Sequence, residues 1–250
     1  MKPAPFAYHA PDSVEEACEL LGSLDEAKVL AGGQSLIPLL NFRLARPQHL
    51  VDINRLRALD GIYERDAGVA VQALARQAAV EDSELVARVC PLVSDAVRLV
   101  AHRVIRNRGT VCGSIAHADP ASEIPAVLLA LGGSVVARST RGERTIPADQ
   151  LFNGVFETSL APDELLVEAW FPATGGKHAI LEESRRHGDF ALAGVVRSGE
   201  RLALFGVAAT PVLADRSDPT RGLQPSGDIE ATPAFRLHLV RVLTEKAFAA

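Results

Sequence analysis

Two short glycine-bearing stretches hold the residues with the clearest capacity for chemistry. The first is Ala31-Gly32-Gly33-Gln34-Ser35 and the second is Gly109-Thr110-Val111-Cys112-Gly113-Ser114. Glycine reaches positive φ without steric cost and lets backbone N–H groups come close to a ligand. A run of such N–H groups, joined by side-chain donors from Gln34, Ser35, Thr110 and Ser114, suits an anion such as a diphosphate. Neither stretch carries the GxGxxG of a dinucleotide turn or the GK[ST] of a P-loop. Residue chemistry alone leads to an anionic ligand held in some other fold, with two ordinary turns as the plain alternative.

Other chemistry is thinner. The seven histidines are scattered without an HxxxH or HExxH pair, so no metal site is read from them. Cys18, Cys90 and Cys112 lie far apart and form no CxxC pair. Such sparse cysteine use suggests reduced thiols and a cytoplasmic location. It also leaves too few ligands for an iron–sulfur cluster bound by this chain alone.

The elements that must position the two loops are legible in outline. Ser13 and Glu16 have capping-box spacing ahead of Val14, Ala17, Cys18, Leu20 and Leu21, and Gly22 is placed to close that helix. Lys28-Val29-Leu30 reads as a strand running straight into the first loop, and Leu36 to Leu44 as a helix leaving it, with Pro38 in its first turn. Leu50-Val51-Asp52-Ile53 is another strand, and alternation at Val69, Val71 and Ala73 predicts a small sheet. Pro91 to Ala101 has helical periodicity ahead of the second loop. A buried helix from Ile124 to Leu131 follows it, then a hairpin turning at Arg141-Gly142-Glu143. Ile180-Leu181, Phe190 to Val196 and Leu202 to Ala208 read as strands of a third sheet. Asp215 to Pro233 is an irregular loop, and Phe235 to Ala247 a final amphipathic helix. Strands and helices mix without sustained βαβ alternation, so the fold class is α+β.

With 48% hydrophobic and 23% charged residues over 250 positions, the chain can bury more than one core. Its formal charge of −5 argues against a nucleic-acid surface. No signal peptide is read at the start. The most apolar stretch, Ile124 to Ala137, is too short for a membrane span, which takes roughly 20 residues.

Ala31-Gly32-Gly33-Gln34-Ser35-Leu36-Ile37-Pro38 and Arg106-Asn107-Arg108-Gly109-Thr110-Val111-Cys112-Gly113-Ser114 together resemble the two FAD loops of the medium subunit of molybdenum hydroxylases. That family includes the flavin subunits of aerobic carbon monoxide dehydrogenase and 4-hydroxybenzoyl-CoA reductase and the flavin domain of xanthine dehydrogenase. Arg46-Pro47, Leu50 to Ile53, Ala118 to Glu123 and Ser184 to Ala191 extend the likeness in family order, over roughly residues 3 to 210. The resemblance implies a two-subdomain FAD-binding region of vanillyl-alcohol-oxidase (PCMH) type over 1–175, split at about 56, and a shortened α+β C-terminal domain over 176–250. It places Val29, Leu30, Ala31, Gly32, Gly33, Gln34, Ser35 and Leu36 on one side of the FAD diphosphate and Thr110, Val111, Cys112, Gly113 and Ser114 on the other. Glu123 matches an acidic cofactor contact, whose partner is a ribose or ring N–H rather than a phosphate, because like charges repel. Leu166 matches an apolar position lining the flavin, and Leu181 and Val100 fall at ring contacts. His117, beside Asp119, is loop scaffolding in this pattern, so no catalytic residue is assigned to the chain.

The resemblance further implies an oxidoreductase subunit that passes electrons to NAD, a quinone or oxygen. Its partners would be a small subunit with 2Fe-2S clusters and a large one with the molybdenum cofactor, as a dimer of heterotrimers. Two rivals are a stand-alone FAD oxidase or dehydrogenase and a flavin-free scaffold of the same fold. Cys112 stands where relatives have the first of two glycines; a need for positive φ there would cost about 1 kcal/mol or more. An inert packed thiol is the expectation for it, a reactive one the alternative. Arg106 and Arg108 could balance the diphosphate or pair with Asp119 or Glu123. Arg185 and Arg186 read as either a solvated pair or a contact to FAD or a neighbouring subunit.

Overall fold

The computed structural model describes residues 1–249. Its chain opens with β1 (Ala7–His9), α1 (Val14–Ser23), β2 (Ala27–Leu30), α2 (Leu36–Asn41) and β3 (His49–Asp52). Ser13 Oγ accepts from the Glu16 N–H at 3.1 Å, while the Glu16 carboxylate takes the Asp12 N–H at 2.8 Å. The cap forms as its residues predict, with the returning bond one residue earlier than in the standard box. Val14, Ala17, Cys18 and Leu21 then form the buried stripe of α1. Gly22 does not close the helix; it stays inside the last turn, and Glu26 takes the left-handed conformation at φ 51°. Both β1 and β2 pair with β3 in parallel. The alternation that the whole chain lacks is thus present locally, in a β-α-β-α-β unit.

The second stretch contains β4 (Ile62–Arg65), β5 (Gly68–Gln72), α3 (Gln77–Glu81), α4 (Glu84–Val89), α5 (Pro91–Leu99), α6 (Arg103–Arg106), α7 (Val111–His117) and α8 (Glu123–Leu131). After them come β6 (Ser134–Ser139), β7 (Gly142–Pro147), β8 (Phe152–Gly154), β9 (Glu157–Thr158) and β10 (Leu165–Pro172). The five-stranded sheet runs β4-β5-β10-β6-β7 with antiparallel neighbours, and β8 pairs with β9. Central β10 is buried from Leu165 to Ala169 and again at Phe171, as expected for a strand covered on both faces. Ser139 pairs with Gly142, so the hairpin turns on Thr140-Arg141, one residue before the position read from sequence. α8 is buried from Glu123 to Ala130. A helix apolar on every side belongs in the middle of a core, and α8 packs on α5, β10, β12 and β13.

The last stretch forms β11 (His178–Glu183), β12 (Ala193–Ser198), β13 (Arg201–Phe205), β14 (Val212–Ala214) and α9 (Pro233–Ala249). Its four strands are antiparallel in sequence order. Phe190 lies outside β12 and is exposed. Leu239, Val240, Leu243 and Ala247 of α9 close a second apolar cluster with Val195, Leu202 and Leu204. Residues 215–232 contain no helix and no strand, as their composition predicts. Among the described residues no helix is long and apolar enough to cross a membrane.

Candidate functional site

The first loop begins where β2 ends. Gly33 adopts φ 74°, and Ser35 caps α2 without a side-chain hydrogen bond. No hydrogen bond among the described residues takes up the N–H groups of Gly32, Gly33, Gln34 or Ser35. Four neighbouring free donors in one turn offer an anion a ready seat. Val29, Leu30, Ala31, Gly33, Gln34 and Leu36 are half-buried, Gly32 buried and Ser35 exposed.

The second loop is the lead-in to a helix that periodicity did not reveal. Thr110 caps α7, its Oγ1 accepting the Gly113 N–H at 3.0 Å. A short helix rich in Gly, Ser and Ala has little apolar stripe to read, but Thr110 three residues before Gly113 was the available signal. Cys112 lies in the first turn of α7 and has no positive φ. The strain expected of a left-handed residue is therefore not present, and Cys112 disturbs neither the loop nor the case for a bound cofactor. Its thiol donates to the Val71 carbonyl, and burial pushes its pKa up. A buried thiol kept protonated is inert. Ser114 Oγ lies 2.8 Å from Ser122 Oγ at the head of α8.

The two loops meet. A Cβ built on Gly32 would collide with the Arg108 carbonyl oxygen and come within 2.9 Å of Gly109 Cα. Beside this junction lies a cavity of about 310 Å³, lined by Leu30 to Gln34, Ile37, Pro38, Asp52, Asn54 and Arg108. That volume is at the small end of the range of roughly 300–1,000 Å³ for ligand sites and suits part of a dinucleotide. Free amides, a glycine junction without room for a side chain and an adjacent guanidinium fit a phosphate-bearing cofactor.

Not every residue read from sequence converges there. Thr110, Val111 and Cys112 are buried behind the junction, with Gly113 and Ser114 half-buried beside them. Leu166 is buried in the core, paired with Ala137. Leu181 packs into the cluster beneath α9. Arg108 reaches the cavity, but Arg106 pairs with Glu81 rather than with Asp119 or Glu123. His117 stacks against Phe156 at 4.9 Å, and burial lowers its pKa. Three residues were missed: Asp52 as a group facing the cavity, Asn54 and Arg76. Parallel strands present ligand sites at their carboxyl ends, and that rule applied to β3 would have found Asp52 and Asn54.

Charge in the site is uneven. Burial pushes Asp52 up, yet bonds from Tyr8 and from the backbone and side chain of Asn54 hold it below the ordinary carboxylate range. Burial and the nearby Arg108 both lower Arg76. Two cations in mutual repulsion beside free amides favour a bound anion. Glu123 sits in the first turn of α8, 7% exposed, and burial, assisted by Glu182 and Asp119, raises its pKa to about 8. Burial alone brings Glu182 to about 7, and its Oε2 has no partner.

Glu123 is thus mostly protonated at neutral pH and able to donate a hydrogen bond. A carboxyl raised on folding contributes stability that is complete below its unfolded value, near 4.5, and is lost as pH rises through about 8. Glu123→Gln, which stays neutral, is expected to flatten the fall in melting temperature of the flavin-free protein between those limits. Parallel melting curves for both proteins would refute the assignment.

Residues 4–174 match the family described as the FAD binding domain in molybdopterin dehydrogenase. The chain is 38% identical to the 6-hydroxypseudooxynicotine dehydrogenase complex subunit alpha of Paenarthrobacter nicotinovorans, over 100% of this chain and 95% of that one. It is 40% identical to the carbon monoxide dehydrogenase medium chain of Hydrogenophaga pseudoflava, over 85% and 76% of the two chains. A solved carbon monoxide dehydrogenase of that organism superposes with a TM-score of 0.93 at 35% identity, covering 100% of this chain and 98% of that one. Quinoline 2-oxidoreductase from Pseudomonas putida 86 superposes equally well, with a TM-score of 0.93 at 31% identity, covering 100% and 97%. The fold is accordingly the FAD-binding one of PCMH type with a small α+β C-terminal domain. This chain belongs to the FAD-binding family of the molybdopterin dehydrogenases, the medium subunits of molybdenum hydroxylase-type complexes.

Proposed function

We propose that this chain holds FAD between the iron–sulfur clusters of a small partner subunit and an external acceptor (NAD, a quinone or oxygen), while substrate is oxidised at a molybdenum centre on a large subunit. The carrying observation is the junction of the two glycine loops, with free N–H groups at Gly32 to Ser35 and the Arg108 guanidinium beside them. FAD, when bound, supplies two-electron chemistry on one side and one-electron exchange on the other. The chain's own task is binding and orientation. Residues 29–36 hold the diphosphate with their free amides, residues 110–114 back the junction from the other side, and Arg108 offsets its charge. Protonated Glu123 donates to a ribose or ring acceptor, whereas Leu166 and Leu181 serve packing.

The boundaries proposed near residues 56 and 175 follow the sheets, which occupy residues 7–52, 62–172 and 178–214. Relatives named as a complex subunit and as medium chains support assembly with large and small subunits, which we extend to a dimer of heterotrimers. Three free, buried cysteines fit a reducing, cytoplasmic compartment.

The test is electron flow in the assembled complex with and without FAD. Substrate should reduce the clusters in both cases, but the external acceptor only when flavin is present. Equal acceptor reduction without FAD would overturn the proposed role. Substrate oxidation by the isolated flavin-loaded chain would instead identify a stand-alone enzyme.

A further inference from the structure

Between the two loops runs a chain of side chains that touches both. Tyr8 Oη donates to Asp52 Oδ2 at 2.6 Å. Asp52 Oδ1 accepts both the backbone N–H and the Nδ2 of Asn54, at 2.9 and 2.6 Å. These bonds fix which way the Asn54 amide faces. Its Nδ2 also donates to the Ala31 carbonyl of the first loop at 2.8 Å, leaving Oδ1 turned toward α3. There Arg76 Nη2 donates to Asn54 Oδ1 at 2.6 Å, and its Nη1 to the Arg108 carbonyl of the second loop at 2.8 Å. The neighbouring Gln77 N–H donates to the Gly109 carbonyl at 2.8 Å.

The loops stand 78 positions apart in sequence, counted between Gly32 and Thr110; the first follows β2, and the second joins α6 to α7, which packs on β5 and β10. Contact at the Gly32 junction prevents them from moving closer, but a steric contact does not stop them separating. The Asn54–Arg76 pair does, since it ties the Ala31 carbonyl to the Arg108 carbonyl through three consecutive hydrogen bonds. Only a planar fork spans both acceptors from one side chain; an ammonium on a flexible stem does not.

We infer that Arg76 and Asn54 are positioning residues that fix the spacing of the two loops and so set the affinity for FAD, Asn54 from the cavity wall and Arg76 from behind it. The inference rests on the FAD reading above. A charged hydrogen bond in such a network is worth enough that its loss, passed on to a ligand held at the loop junction, weakens binding about tenfold to a hundredfold.

The experiment measures FAD dissociation constants and flavin-free melting temperatures for the full chain, stripped of flavin, as wild type, Asn54→Ala, Arg76→Ala, Arg76→Lys and the double alanine variant. Each single variant, Arg76→Lys included, should bind FAD about tenfold to a hundredfold more weakly. The double variant should be no weaker than the weaker single, because both act through one bridge. Wild-type affinity in Asn54→Ala and Arg76→Ala overturns the bridge. So do fully additive losses, or rescue by lysine, which would make Arg76 a simple counter-charge. A fall in flavin-free melting temperature with unchanged affinity assigns the pair to stability alone and likewise overturns it. Failure of the wild type itself to bind FAD overturns the underlying reading, and this inference with it.

Discussion

Gly32→Val is expected to yield a folded but nearly flavin-free protein. The reason is the junction itself: a Cβ at Gly32 meets the backbone at Arg108 and Gly109, which cannot rotate aside as a flexible side-chain tip would. Valine must push the second loop away, at a cost of about 1–3 kcal/mol in overpacking. Displacement of even 1 Å in such a site costs on the order of a hundredfold in function. Bound flavin should fall below about a tenth of wild type at micromolar cofactor, a loss of that order in affinity being sufficient. The clash is therefore between the two loops rather than with the cofactor itself. Visible absorbance of the purified protein, with its circular dichroism as a check on folding, measures the effect. Full flavin content in a folded Gly32→Val protein would contradict it.

The largest loss of stability is expected at Arg106. The residue is 7% exposed, with Nε and Nη2 on the two Glu81 carboxylate oxygens at 2.9 and 3.0 Å and Nη1 on the Val100 carbonyl at 2.9 Å. Removing one partner of a buried pair leaves the other charge uncompensated, typically at about 3–5 kcal/mol. Glu81 retains Arg103 at 2.8 Å, so Arg106→Met should cost about 3 kcal/mol, the low end of that range. For a chain of this size that is roughly 6–12 °C in melting temperature. Replacing both charges, Glu81→Leu with Arg106→Met, should recover most of the loss. The Arg106 hydrogen bonds hold Glu81 below the ordinary carboxylate range. Their contribution is therefore present above the unfolded value and lost as pH falls through the lowered one. An Arg106→Met protein as stable as wild type at neutral pH would show that the pair carries no net weight.

How far the sequence could be read depended on where the physical signal lay. Helix α1, strands β2 and β3, the central helix α8 and the closing helix α9 were legible because each has an apolar stripe, a cap or an unbroken apolar run. Short α3 and α4 were not legible, since helices of five or six residues barely complete a stripe. α7 stayed hidden for a related reason: its identity lies in the Thr110 cap. Strand β10 carries both Trp170 and Glu168 among its apolar residues, which disguised the sheet's centre. Glu168 is tolerated because Tyr63 and Arg65 of β4, which lies beyond β5, satisfy it, a pairing with no local sequence signature. The glycine loops themselves were visible, while their convergence was expected only through the family resemblance, because it depends on packing distant segments together. Arg76 and Asn54 escaped notice for the same reason.

The central claim, that the two joined loops form one diphosphate site, is tested most directly by following the backbone N–H resonances of the flavin-free chain as FAD is added. Gly32, Gly33 and Gly113 should shift together along a single saturation curve, with AMP, which lacks the diphosphate, producing a much smaller response. Saturation with FAD that moves only one loop's amides, or neither's, would contradict the account.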